Sequence, residues 1–380
     1  MNPAILFLVH LPPPRIGPSV VNEALLASPA IQAEFDCDVL PINTSSRMKE
    51  ISRFSWRKAA GALALAWEVA GMLRRKRPSL VYMTLTPTGI GFLKDLLLVF
   101  VVKAFRVRMV YHLHGKGIRS RQGLFWGFLY QCCFASARVI LLSESLYPDL
   151  ERYVSRSRVV VIPNGVALTC GSVEWEEIRE QRKGPHLFTI LFLGNLVKSK
   201  GVWTVMEAAL NLKEKGLPFR LCVVGADFDV TRDQLSLWAK QKGLEREVAF
   251  PGFLDGEDKA AVLKAADIFV YPTQNDTFPL VLLEAMQYGL PVVTTAEGAV
   301  PDIVDANQTG FVIPSGDAVA LADKVEFLMR EAEWRRNMGD QARLKFLREY
   351  TFEVFESRLR QLLKSLTNAN AAVVEGSCAG

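Results

Sequence analysis

The feature that most constrains this chain is a recurring alternation. Short apolar, β-branched-rich runs are separated by stretches with helical period along most of its length. Runs this short without polar alternation read as strands buried on both faces, and their separation by helical segments reads as βαβ units around parallel sheets. Strands are predicted at Ala4–Val9, Asp38–Pro41, Leu80–Met83, Arg108–His112, Val139–Leu142 and Val159–Ile162. A second series follows at Phe188–Leu193, Phe219–Val224, Val248–Phe250, Ile268–Tyr271, Pro291–Thr294 and Gly310–Ile313. Two series predict two Rossmann-like α/β domains, residues 1–170 and 188–350. The polar, charged stretch 171–187 is read as their connection. A helix at 351–366 follows and can return to the first domain, and the aperiodic tail 367–380 is expected to be disordered.

With 380 residues, half of them hydrophobic and 22% charged, the chain is too apolar to be disordered and large enough to need no staples. The formal net charge of +5 hides a split. Residues 1–170 hold 21 Lys and Arg against 10 Asp and Glu, whereas residues 171–380 hold 24 against 30. Six cysteines show no CxxC pair and no His at metal-ligand spacing, so neither a zinc site nor a disulfide framework is expected, and a reducing, cytoplasmic compartment fits. No secretory leader is read at the N-terminus, which lacks a basic region and a small-residue cleavage site. Residues 59–73 are interrupted by Glu68 and residues 89–105 by Lys94, Asp95 and Lys103, so neither stretch is expected to span a bilayer. Residues 45–78 combine Arg and Lys with Trp56 and Trp67, which suits peripheral contact with anionic headgroups; the plainer alternative is a solvated basic helix face. No nucleic-acid reader module is present, so nucleic acid is not expected as a partner.

In open parallel sheets ligands sit beyond the carboxyl ends of strands, so the informative residues should follow strands directly. After the first strand comes HLPPPRIGPSVV, where Gly17 permits close backbone approach and Ser19 can cap the next helix; an ordinary proline-rich loop is the alternative. A GxGxxG fingerprint is absent, and Gly115-Lys116-Gly117 lacks the third glycine, which argues against a nicotinamide cofactor. In VYHLHG, His112 and His114 alternate and point the same way, as ligands or as structural histidines. LFLGNLVKSKGVW places Asn195 and Lys200 between a strand and a helix start, an anion site that is not a Walker loop. YPTQNDTFPLVLLEAMQYGLPVVTT carries Asp276 at a loop and Glu284 inside an apolar helix, where a carboxylate needs a partner.

Taken together, these residues resemble the nucleotide-sugar-dependent retaining glycosyltransferases of family 4. The family's acidic residue, seven others and then Glu appears as Asp276-TFPLVLL-Glu284, followed by GLPVV. IPNGV at 162–166, LGNLVKSKGV at 193–202, FPGFL at 250–254 and TGFVIPSGD at 309–317 also match. The resemblance implies the GT-B fold, two Rossmann-like domains facing each other across a cleft, and a nucleoside diphosphate sugar as co-substrate, with no further cofactor and no metal. It implies that Lys200 and Asn195 hold the diphosphate with the Gly17 loop, and that the amides of Phe278, Pro279 and Leu280 complete the anion site. Asp276 and His114 would touch the sugar, Glu284 the ribose, and the segment Gly252, Phe253, Leu254 the base. Two departures stand out: Asp276 where Glu is commoner, and Asn195 where the family carries Arg, a loss of charge that another cation such as Arg15 would have to supply. A lipid-linked or surface-polysaccharide acceptor is implied, with action at the inner face of the cell membrane. A non-catalytic docking subunit and a nucleotide-sugar epimerase remain as alternatives.

Overall fold

The computed structural model describes residues 2–43 and 56–377, with side chains for 2–43 and 60–368. The chain forms two compact units: residues 1–164 with those from Glu353 onward, and residues Gly165–Phe352. In the first unit six strands, β1 (Ala4–Val9), β2 (Asp36–Pro41), β3 (Leu80–Leu85), β4 (Met109–Leu113), β5 (Arg138–Leu141) and β6 (Val159–Val161), pair in parallel in the order β2-β1-β3-β4-β5-β6. In the second unit β7 (Thr189–Leu193), β8 (Arg220–Val224), β9 (Val248–Gly252), β10 (Ile268–Tyr271), β11 (Val292–Thr295) and β12 (Gly310–Ile313) pair in parallel in the order β12-β11-β10-β7-β8-β9.

Every predicted strand forms; the central ones are runs that the helices bury on both faces, whereas the edge strand β2 leaves Asp36, Val39 and Pro41 exposed. All six residues of β3 are buried, for example. The strand order reverses between β1 and β3 in the first unit and between β7 and β10 in the second. At such a reversal the flanking connections leave on opposite sides, and their loops open a crevice at the carboxyl ends.

Two expectations about the chain's organisation are corrected. The stretch 171–187 is not a linker: it contains the helix Ser172–Gln181 and lies inside the second unit. Its charges anchor it there, with Arg179 paired to Asp340 at 3.0 Å and Arg182 donating to the Tyr288 carbonyl at 2.9 Å. The tail expected to be disordered instead continues the last helix, which runs Phe352–Ser377. No Gly or Pro interrupts 352–375, so nothing in the sequence stops it. This helix belongs to the first unit, where Arg360 and Lys364 pair with Glu34 and Phe355 packs against His112 at 6.3 Å between ring centroids. The membrane reading of residues 45–55 and of Trp56 lies outside the described residues or side chains; Trp67, by contrast, is 80% exposed on the helix Trp56–Lys76.

Phe355 is fully buried, so Phe355→Ala should destabilise the first unit by about 3–5 kcal/mol. Hydrogen exchange resolved along the chain should show protection lost first in β1–β6.

Candidate functional site

In the second unit the site grows from the two strands at the order reversal. After β7 the chain makes a short turn, Lys198–Lys200, and enters the helix Val202–Glu214 through Gly201. Gly201 has φ +82° and lies so close to β10's extension that a Cβ would stand 2.1 Å from the Pro272 carbonyl oxygen, so only glycine fits. The Ser199 carbonyl accepts hydrogen bonds from the Gln274 N–H at 2.7 Å and the Thr273 hydroxyl at 3.2 Å. The loop after β7 is thereby stapled to the loop after β10.

That staple brings Lys200 and Asp276 into a direct ion pair through Nζ and Oδ2. The Tyr271 hydroxyl donates to the same Oδ2 at 2.9 Å, and the Thr277 N–H donates to Oδ1 at 2.9 Å. Lys200 Nζ also lies 5.8 Å from the Tyr271 ring centroid. Burial, reinforced by Asp276, pushes the Tyr271 phenol well above its ordinary value, so it stays a donor. The pair itself is partly wet, with side-chain exposures of 23% and 16%.

Glu284 lies on the helix Leu280–Gln287, and its partner is Lys259, whose Nζ stands 3.1 Å from Oε1. Burial raises the Glu284 carboxyl above its usual range while the Lys259 ammonium opposes that shift. Phe278 is buried and packs on Tyr350, so its role at any ligand is limited to its backbone. One expectation fails on chemistry: Pro279 caps this helix and, lacking an N–H, cannot donate to an anion, which leaves only Phe278 and Leu280 amides there. Gly252 ends β9 with φ +89° under the Arg232 guanidinium, Phe253 beyond it is 68% exposed and Leu254 is half-buried. Asn195 follows β7 and is half-buried, its carbonyl accepting from the Val197 N–H at 2.7 Å.

In the first unit Gly17 opens the helix Gly17–Ala27. Ser19 does not stand at the cap itself but accepts the N–H of the capping Ile16 at 3.0 Å. Arg15, offered as a substitute cation, is exposed and paired with Glu23 at 3.3 Å. His112 is fully buried with Nδ1 2.5 Å from the Tyr82 hydroxyl, and its ring lies 4.0 Å from that of His114. His114 follows β4, and both its ring nitrogens are shielded from solvent with no hydrogen-bond partner among the described residues. Burial lowers His114 to about 3, with His10 adding to the effect. Burial likewise lowers His10 to about 4, Asp95 opposing it.

The side chains that sequence reasoning missed are Lys259, Tyr271, Arg232 and His10. Tyr271 and His10 end or follow strands at the order reversals, which is the signal that could have found them. Among the described residues no group of three or more His, Cys, Asp or Glu could hold a metal ion, and no helix is long and apolar enough to cross a membrane.

Two doubly wound parallel sheets, one with a Lys–Asp ion pair at its switch point, place the candidate site of an α/β protein at the carboxyl ends of its strands, where such folds bind ligands. The family described as "Glycosyltransferase Family 4" matches residues 27–169, and that described as "Glycosyl transferases group 1" matches residues 173–345. The chain belongs to the family 4 glycosyltransferases. WcaL of Escherichia coli (strain K12), provisionally named a colanic acid biosynthesis glycosyltransferase, is 30% identical over 263 residues, 67% of this chain and 63% of its own length. The D-inositol 3-phosphate glycosyltransferase of Corynebacterium aurimucosum is 32% identical over 218 residues, 55% of this chain and 52% of its own. The chain thus spans between half and two thirds of these curated relatives. Among solved structures, Anabaena HepE in complex with UDP superposes with a TM-score of 0.74 at 17% identity, covering 96% of this chain and all of that one. The fold is therefore GT-B.

The three lowered or buried histidines make the first unit acid-sensitive. An imidazole whose native pKa lies below its unfolded value of about 6.5 leaves the unfolded state holding more protons, so stability is full above pH 6.5 and falls as pH drops toward the native value. Between pH 7.5 and 5.5, His10 and His114 should each cost roughly 1 kcal/mol. Denaturant midpoints at the two pH values, compared with His10→Asn and His114→Asn, check this. In the second unit, Gly201→Ala should cost about 1–3 kcal/mol by the same measurement.

Proposed function

We propose that this chain is a retaining, metal-independent glycosyltransferase that moves a sugar from a nucleoside diphosphate sugar to a lipid-linked or surface-polysaccharide acceptor. The observation that carries the reading is the Lys200–Asp276 pair at the carboxyl ends of β7 and β10. A diphosphate is a stronger, doubly charged competitor for Lys200 than one carboxylate, so donor binding exchanges partners. Lys200 turns to the phosphates, and Asp276, still held by Tyr271, becomes free to accept a hydrogen bond from a sugar hydroxyl.

Breaking the anomeric C–O bond then develops charge on the departing diphosphate, where Lys200 and the amides of Phe278 and Leu280 stabilise it; fixed donors of this kind are usually the largest catalytic term. Glu284 takes the ribose hydroxyls, and the exposed Phe253 ring offers a face to the base. The relatives' names support a sugar acceptor of glycolipid or surface-glycan type, among them a phosphatidyl-myo-inositol mannosyltransferase of Mycobacterium leprae and a capsular polysaccharide glycosyltransferase of Staphylococcus aureus. Anabaena HepE, solved in complex with UDP and with UDP-glucose, supports a nucleotide-sugar donor. Exposed Trp67 and Leu63, with Arg74 and Arg75 in the last turn of their helix, support peripheral contact with an anionic membrane at its cytoplasmic face.

A panel of nucleotide sugars, followed by thermal shift and then turnover, tests the proposal. Lys200→Ala should lower turnover roughly 100-fold or more, and Glu284→Gln should weaken donor binding about tenfold. Donor binding and turnover indifferent to both substitutions would refute it.

A further inference from the structure

We infer that the second unit carries a binding site for a phosphoryl group, separate from Lys200 and Asp276 and built from arginines at the opposite edge of the sheet. The inference stands independently of the transferase reading. Four arginines, Arg179, Arg182, Arg335 and Arg336, line one small cavity together with only two carboxylates, Asp267 and Asp340. Asp267 immediately precedes β10, and its Oδ2 accepts from the N–H of Thr189, the first residue of β7, at 2.8 Å. The cavity therefore lies at the amino ends of these parallel strands, whereas Lys200 and Asp276 follow their carboxyl ends. Both carboxylates are already engaged. Asp267 gives its other oxygen to His186 Nε2 at 2.8 Å, and Asp340 pairs with Arg179 at 3.0 Å, beside a looser contact of Arg179 with Glu176 at 3.7 Å. Arg182, Arg335 and Arg336 form no ion pair among the described residues, although their unit holds 27 Asp and Glu against 21 Lys and Arg.

What holds these side chains is neutral. Arg182 donates to the carbonyls of Tyr288 at 2.9 Å and Leu263 at 3.2 Å, and Arg335 donates to that of Leu328 at 2.6 Å, with its guanidinium 5.1 Å from the Phe188 ring centroid. Such contacts fix the cations in place and leave their charge uncompensated. The Nε atoms of Arg179 and Arg182 are shielded from solvent and have no acceptor among the described residues. Burial lowers Arg182 to about 10, Asp267 opposing the shift and Arg335 adding to it. Burial also lowers Arg335, with Asp267 opposing and Arg336 adding. Partly desolvated cations that repel one another are relieved by an anion shared among them. The cavity measures about 30 Å³, and each oxygen-sized atom needs roughly 10–15 Å³ of such space, so two oxygens fit inside. Arg336 is exposed, so the remainder of the anion can stay at the surface beside it. A carboxylate offers the same two oxygens with a single charge, whereas a phosphoryl group brings close to two and meets several guanidiniums at once.

Isothermal titration of the full chain with inorganic phosphate at pH 7.5, with ionic strength held constant by sodium chloride, tests the inference. Phosphate can also reach Lys200, so the titration is run in Lys200→Ala, where binding should persist. In that background Arg336→Ala and Arg335→Gln should each weaken phosphate binding about tenfold. Arg336 is exposed and makes no ion pair among the described residues, so its variant keeps the fold even if the other does not. Acetate should bind about tenfold more weakly than phosphate. Glycerol 3-phosphate binding as tightly as phosphate identifies the occupant as a phosphate ester, and a loss of about tenfold identifies it as the free ion. Absence of phosphate binding in Lys200→Ala, or binding unchanged by Arg336→Ala in the folded variant, overturns the inference. Acetate matching phosphate overturns the phosphoryl assignment.

Discussion

The structure depends on one constraint: in each unit a parallel sheet whose central strands are buried on both faces must send its connections to both faces, and the strand order reverses where those connections part. Much of the polar chemistry sits at or beside the carboxyl side of such a reversal. The loops after β7 and β10 place Lys200 and Asp276, and the ends of β1, β3 and β4 supply His10, Thr84 and His114. Hydrogen bonds from Thr273 and Gln274 to the Ser199 carbonyl lock two loops that the sequence separates by some seventy residues. The sheet thus decides where polar groups can be held without solvent, and the loop staples decide which of them touch.

The strands were legible because a buried parallel strand has no choice of residue: β1, β10 and β12 begin and end where the apolar runs do, and the others differ by no more than two residues at either end. Glu284 was legible as a carboxylate out of place in an apolar helix, and Asp276 and Lys200 as polar residues in loops that follow strands. Tyr271 and Lys259, which hold the two carboxylates, were not. Lys259 lies in a helix, Gly256–Ala265, whose exposed residues look like any solvated surface, and its value comes only from the packing that sets it beside Glu284. His10 was hidden by the proline-rich loop it begins. The stretch 171–187 misled because a charged, glycine-bearing segment has the composition of a linker, while Arg179 and Arg182 are fixed to the second unit by partners 80 to 160 residues away.

The charge split also takes a firmer form. The last helix, carrying three acidic and three basic residues from 353 onward, returns to the first unit and leaves its balance at +11 against −6 for the second. An anionic donor therefore gains little from the general field of the second unit, and placement of individual cations, Lys200 and Lys259, matters more than their number.

The return of that helix has a consequence for how the protein is made. The second unit begins at Gly165 and ends at Phe352, and those two ends are bonded to each other, the Val166 N–H donating to the Tyr350 carbonyl at 3.0 Å and the Phe352 N–H to the Val166 carbonyl at 2.9 Å. Topologically it is an insertion into the first unit. During synthesis all of its residues leave the ribosome before the segment holding Phe355 and Lys364 does, so the domain begun second can be completed first. The first six strands must wait, with the side of the sheet that Phe355 covers still bare, until the remaining chain has emerged.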